Sequence, residues 1–207
     1  MGVRSVTVSL GFVGMVALVL LFDRSGLLPF AVLAVLIHEI GHIAAIYTMG
    51  GGVRRLHLGL VGLAIDYEGR RIGYLGEIGI ALAGPFANFA LAYAASVWGL
   101  LVSSESLLLL AGVSMGTGIF NLLPVYQLDG GRAVYCLLAL VFDSEWAFRL
   151  VCVMSCAVIL GLLVFGVWLL IWSGWNFTLL AVALWLLLGY CKNRRDGVEW
   201  AGRLGSS

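Results

Sequence analysis

Charge is scarce in this chain. Only 11% of its 207 residues are Asp, Glu, Lys or Arg, while 62% are hydrophobic, and mean hydropathy is +1.06. A soluble domain carries about a quarter charged residues. The shortage excludes an ordinary water-soluble globule and points to an integral membrane protein solvated mostly by lipid. Cysteine is also sparse. Cys136, Cys152, Cys156 and Cys191 form no C-x-x-C pair, so neither a thiolate zinc site nor a redox dithiol is indicated, and all four read as small core residues. No internal repeat and no pair of matching interrupted segments is present, which weighs against a transporter architecture. A formal net charge of +1 identifies no partner, and no nucleic-acid partner is expected. There are just three histidines, and two of them stand together.

Apolar runs near or above spanning length occur at about residues 6–22, 28–49, 75–102, 106–125, 147–171 and 177–191. The first has only Arg4 as a basic start and no small-residue exit site, so it reads as a retained helix and not a signal peptide. The expected fold is an all-α polytopic membrane protein of about six transmembrane helices, forming a single domain over 1–207. Its core would be 6–191 and its short basic tail 192–207. Lys and Arg favour the cytoplasmic side. With the N-terminus inside, Arg4, Arg54, Arg55, Arg70, Arg71, Arg132, Arg149 and the tail cations Lys192, Arg194, Arg195 and Arg203 all fall inside, and only Arg24 falls outside. Both termini are therefore expected in the cytoplasm. Trp172 and Trp175 serve as interfacial anchors on the other side.

Residues 50–75 break the helical pattern. "VRRLHLGLVGLAIDYEG" alternates Leu56, Leu58 and Leu60 with smaller or polar residues and is interrupted by Gly59 and Gly62. It reads as one or two strands, either associated with the membrane against the helices or forming an ordinary surface loop. The next segment, "GEIGIALAGPFANFALAYAA", is dense in Gly and Ala, which lets helices approach closely in lipid. Pro85 within it removes one backbone hydrogen bond and exposes a carbonyl.

The chemistry concentrates in "LIHEIGHIAAIY", residues 36–47. His38 and His42 are four apart and share a helix face. Imidazoles at that spacing can hold one Zn²⁺. Glu39 is placed to handle the proton of an attacking water without being a ligand. Ionisable groups inside a membrane are expensive and usually functional, so a pair of merely satisfied core histidines is the weaker reading. Gly41 gives another helix room to pack close. A catalytic zinc normally takes three protein ligands. His57, beside Arg54 and Arg55, reads as an exposed interfacial residue. Asp66 and Glu68 belong to a hydrated run, and Glu77 suits a helix N-terminus. Asp129, in "FNLLPVYQLDGGR", follows a break at Pro124 and precedes Gly130 and Gly131. It is either the third ligand, the favoured reading, or a helix-capping residue.

"HEIGH", then "GPFAN", then "NLLPVYQLDGGR", in this order and in apolar segments, resembles the site-2 protease family of intramembrane zinc metalloproteases. The likeness is greatest to the branch that includes a sporulation protease processing a pro-sigma factor. The motifs and hydropathy cover nearly the whole chain. The resemblance implies one Zn²⁺ per chain held by His38, His42 and Asp129, with Glu39 as catalytic acid/base. It places Asn121 facing the site and Asn88 near it. It further implies a bacterial cell-membrane location and a substrate that is a single-pass membrane protein or a membrane-associated pro-protein. A regulatory membrane partner would be in keeping with the family. The loops are too short for a PDZ insertion, and no nucleotide-sensing cystathionine-synthase-type (CBS) domain is expected.

The expected reaction is hydrolysis of a peptide bond in or near a transmembrane segment. Asn121 or Asn88 would hydrogen-bond the substrate backbone or the developing oxyanion, and for Asn88 an interhelical hydrogen bond is an equal alternative. An edge strand within 53–67 would capture the unwound substrate. The rival functions are a transporter, or a non-catalytic substrate-binding protein with a structural metal site. Glu39 argues against the second, because metal retention alone would not require it.

Overall fold

A computed structural model describes the backbone of residues 5–8, 26–59, 62–69, 72–173 and 177–205, with side chains described for 26–53, 72–173 and 177–191. Among the described residues there are six helices and three strands. In chain order they are β1 (Ser5–Val8), α1 (Leu28–Thr48), β2 (Gly51–Gly59), β3 (Gly62–Gly69), α2 (Tyr74–Leu101), α3 (Glu105–Asn121), α4 (Asp129–Ala139), α5 (Ser144–Ser173) and α6 (Thr178–Gly205). Three of them, α1, α2 and α5, are long and apolar enough to cross a membrane, and Thr178–Cys191 of α6 is a shorter apolar stretch. The chain is a mostly helical membrane protein, as its composition requires.

The helical segments depart from expectation in particular ways. Residues 6–8, read from hydropathy as the start of a first span, lie in strand β1, and the rest of that span, 9–22, falls outside the described residues. The backbone pairing explains the difference: β1 runs parallel to β2, with Ser5 opposite Arg55 and Val8 opposite Leu58. α3 stops at Asn121, three residues before Pro124 and not at 125. α6 continues through the basic residues to Gly205, so the segment expected as a tail is helical at 192–205. The helix α4 was not anticipated, because two glycines at its start masked its apolar face.

The chain divides into two compact units, one of residues 1–72 and 79–121, the other of residues 73–78 and 122–207. In the first, α1 has Pro29 in its opening turn, where a missing N–H costs nothing. It ends at Thr48 with Met49 as its cap, and Gly50 after the cap has a φ of +77°, a left-handed conformation that glycine adopts without strain. The chain then turns directly into β2, and a Cβ on Gly51 would lie 2.9 Å from Ile46 Cγ2. Of the one or two strands expected in this stretch there are two, β2 and β3, and they pair antiparallel from Gly51–Gly69 to Gly59–Gly62, with an irregularity between Val53 and Arg55. β2 is central in the three-stranded sheet, so among the described residues the sheet edges are β1 and β3. Ile46, Val53 and Ile80 form one buried cluster with Ile43 and Ile72 against it. Ala95, Leu110 and Ala111 form another, under Phe30 and Leu91.

The second unit is built around α4. Tyr135 and Cys136 are wholly buried with Ala147 and Val151 of α5, and Tyr74, Ile78 and Tyr126 pack against them. The opening of α4 lies hard against the preceding loop. A Cβ on Gly130 would fall 2.1 Å from Leu122 O, and one on Gly131 2.1 Å from Val125 O, so only glycine fits at either place. Polar groups tie the loop down. Tyr126 N–H donates to Ser155 Oγ at 2.8 Å, and the Gln127 amide donates to Leu186 O at 3.1 Å. Arg132 pairs through Nε and Nη2 with Glu77 Oε2, and Glu77 is 2% exposed. Breaking such a buried pair from one side costs about 3–5 kcal/mol.

Of the four cysteines expected in the core, only Cys136 is buried; Cys152 is half-buried and Cys156 and Cys191 are exposed. On lipid-facing helices a thiol behaves as a small apolar group, so outward placement carries no penalty there. Burial pushes the Cys136 thiol up to about 12, the nearby Glu77 carboxylate adds to the rise and the Arg132 guanidinium opposes it. At pH 8 the thiolate, the reactive form, is therefore strongly disfavoured at Cys136. We expect maleimide to label Cys191 but not Cys136 in the folded protein at pH 8, and to label both after denaturation. Mass spectrometry of the peptides reads this, and prompt labelling of Cys136 in the folded chain would contradict it.

Candidate metal centre

The site begins with a stripe on α1. Its buried residues are Ala34, His38, His42 and Ile46. Successive members are four apart and rotate by only about 40° around the helix. Val32, Leu33, Leu36 and Ile40 are exposed. Polar groups inward and aliphatic groups outward is the arrangement that a lipid solvent favours.

The stripe lies against α2, and glycines on both helices make the approach possible. A Cβ on Gly41 would sit 2.6 Å from Ala83 O and 2.9 Å from Ala87 Cβ. A Cβ on Gly84 would sit 2.4 Å from His42 Nε2 and 2.8 Å from His38 Cε1. The space above Gly84 is therefore filled by the two imidazoles.

Hydrogen bonds fix the rings. His42 Nδ1 lies 2.7 Å from Ile80 O. A carbonyl only accepts, so Nδ1 carries the proton and the lone pair is on Nε2. Pro85 cannot donate to the carbonyl four residues before it, that of Ala81, the residue next to Ile80. This carbonyl anchor is the kind that orients a metal-binding histidine. His38 Nδ1 lies 3.2 Å from Asn88 Nδ2.

The two Nε2 atoms are 3.0 Å apart, with the rings at 83° and their centroids 4.7 Å apart. Two imidazole nitrogens on one tetrahedral zinc, each at about 2.0–2.1 Å, are separated by roughly 3.3 Å. The pair is thus spaced for a single ion and is of the right donor type. The rings are 5% and 8% exposed, which limits competing water.

The other anticipated residues fall as follows. Glu39 is half-buried on α1, about 100° around the helix from His38. Asn88 is fully buried and reaches His38. Asn121 is the half-buried last residue of α3, and its Nδ2 donates to Thr117 O at 3.1 Å, which commits one donor to its own helix. Asp129 is the half-buried first residue of α4, in the second unit. Leu128, in extended conformation, holds the cap position, so Asp129 does not cap α4 as the alternative reading had it. Its carboxylate does suit the positive end of the helix dipole. The side chain of His57 lies outside the described residues; its backbone is in β2 opposite Thr7 and Ala64. Sequence reasoning missed the contact of Gly84 with both rings and the Glu77–Arg132 pair. The G-P-x-x-N stretch signalled the first, but nothing in the spacing of 77 and 132 signalled the second.

No protein-family model matches the chain, and no curated protein sequence matches it. A solved structure does. It is the site-2 protease from Methanocaldococcus jannaschii, which superposes with a TM-score of 0.67 at 20% identity, covering 90% of this chain and 89% of that one. The chain therefore has the fold of a site-2 protease.

Gly84→Ala should force the imidazoles apart and destabilise the protein by about 1–3 kcal/mol, as overpacking does. Gly112→Ala in α3, where a Cβ meets nothing within 4 Å, should be neutral or stabilising by up to about 1 kcal/mol. Thermal unfolding in detergent compares them, and equal midpoints would refute the crowding at Gly84.

Proposed function

We propose that this protein is an intramembrane zinc metalloprotease that hydrolyses a peptide bond in or near the transmembrane segment of a membrane protein. The observation that carries the reading is the buried pair of Nε2 atoms, 3.0 Å apart on a helix apolar enough to span a bilayer. The likeness to a solved protein described as a site-2 protease supports it. His38, His42 and Asp129 would hold one Zn²⁺, the third ligand being assigned from the L-D-G-G motif. When bound, the ion supplies Lewis-acid chemistry, polarising a carbonyl and acidifying water.

The chain's own residues do the remaining work. Glu39 removes a proton from the attacking water at its carboxylate and returns it to the leaving amine. It follows a ligand directly in sequence, so a short side chain keeps it within reach of the same small volume. Asn121 offers an amide to the substrate carbonyl, where a developing oxyanion would be stabilised. A substrate segment must be extended before it can be cut, and its backbone groups then need partners where water is scarce. The outer edge of β3 provides such partners by strand addition. The substrate class is a single-pass membrane protein or membrane-associated pro-protein. The proposed location is a bacterial cell membrane with both termini cytoplasmic, and regulation through a membrane partner is compatible with it.

Glu39→Gln should abolish cleavage, a loss of about 10²–10⁴-fold for a general acid/base, while the purified variant keeps one zinc per chain. Asp129→Asn and His42→Ala should lose both zinc and cleavage. The assay is co-expression with candidate single-pass proteins, followed by immunoblotting, with zinc measured on the purified chains. Undiminished cleavage by Glu39→Gln would end the protease reading.

A further inference from the structure

Asn88 is wholly buried, yet its Oδ1 has no hydrogen-bond partner. Its Nδ2 lies 3.2 Å from His38 Nδ1. One arrangement of protons is consistent with these distances. The Asn88 amide donates to His38 Nδ1. His38 Nε2–H then donates to His42 Nε2 at 3.0 Å, and His42 Nδ1–H donates to Ile80 O. This arrangement places the His38 proton on Nε2.

A cation between the rings needs lone pairs on both Nε2 atoms, because a protonated nitrogen cannot ligate. His42 already meets that condition through Ile80. His38 does not, and its proton must sit on Nδ1 instead, where it needs an acceptor. The oxygen and nitrogen of a side-chain amide have nearly the same shape. Half a turn of the Asn88 amide puts Oδ1 in the place of Nδ2, facing His38 Nδ1–H. Either orientation leaves one amide atom without a partner, so the location of the His38 proton decides between them.

We propose that Asn88 is a positioning residue for metal binding. Its side-chain oxygen accepts the Nδ1 proton of His38 and so presents the Nε2 lone pair to the cation, as Ile80 O does for His42. The proposal rests on the metal-site reading above and deepens it. It replaces the earlier expectation that Asn88 contacts substrate, for which a side chain with no exposed surface is unsuited. It also goes beyond an interhelical tether, because a tether would depend on the amide's N–H₂, whereas orientation of a ligand depends on its oxygen.

The test uses the purified full chain in detergent and measures Zn²⁺ affinity by competition with a chromogenic chelator. Asn88→Leu removes the acceptor and should weaken zinc binding by about 10–100-fold, the usual effect of losing an outer-shell partner. Asn88→Asp keeps only acceptors and should bind zinc at least as tightly as the wild type. If Asn88→Leu does not fold, Asn88→Asp alone decides: retained affinity supports the proposal, and a tenfold or greater loss overturns it. Wild-type affinity in a folded Asn88→Leu chain also overturns it while leaving the metal site intact. A wild-type chain that binds no zinc overturns both the proposal and the metal-site reading.

Discussion

Two imidazoles in the interior of an apolar helix must have partners, and much of the first unit can be understood as supplying them. Lipid offers no hydrogen bonds, so each ring nitrogen must be satisfied by protein or by a ligand. His42 is satisfied on one side by a backbone carbonyl of α2 and His38 by the Asn88 amide, and the two rings then meet Nε2 to Nε2. The stripe of α1 that carries them is buried while the aliphatic flanks face outward. A helix built this way would be unstable in water, where its outward face would have to be hydrated.

That demand sets the packing of α2. A ring can reach a carbonyl on a neighbouring helix only if the two backbones come close. Gly41 and Gly84 permit this, since a Cβ on either would collide with the opposite helix or its rings. Ala83 and Ala87 keep the rest of the contact small. Pro85 leaves the Ala81 carbonyl without its helical donor, next to the Ile80 carbonyl on which His42 docks. Glycine and alanine in "GIALAGPFAN" thus each answer a need created by the histidines. The second unit follows a similar rule. Gly130 and Gly131 admit the carbonyls of the preceding loop, and the Glu77–Arg132 pair neutralises a carboxylate that is almost completely buried.

Much of this was legible in the residues. Hydropathy located α1, α2 and α5 to within a few residues, because a span must be about 20 apolar residues long and lipid tolerates few exceptions. Alternation and the interrupting glycines marked strands where β2 and β3 lie, and their pairing came from the structure. The spacing of His38 and His42 placed them on one face. Hydropathy failed where an apolar segment has another use. "VTVSLGF" is greasy enough to begin a span, yet residues 5–8 pair as a strand with β2. α4 was hidden because its glycines are poor helix formers and only packing against the 122–128 loop makes them suitable.

What the sequence determined by itself is the solvent, the position of the three longest apolar helices, and the donor atoms that His38 and His42 offer a cation. These follow from composition and periodicity, which act locally. Tertiary structure alone decided that Ile80 O faces His42 Nδ1, that the Asn88 amide faces His38 Nδ1, and that Arg132 answers Glu77 across 55 positions. Those facts depend on atoms brought within about 3 Å by the close crossing of helices, and no local pattern encodes a distance between residues 38 and 88.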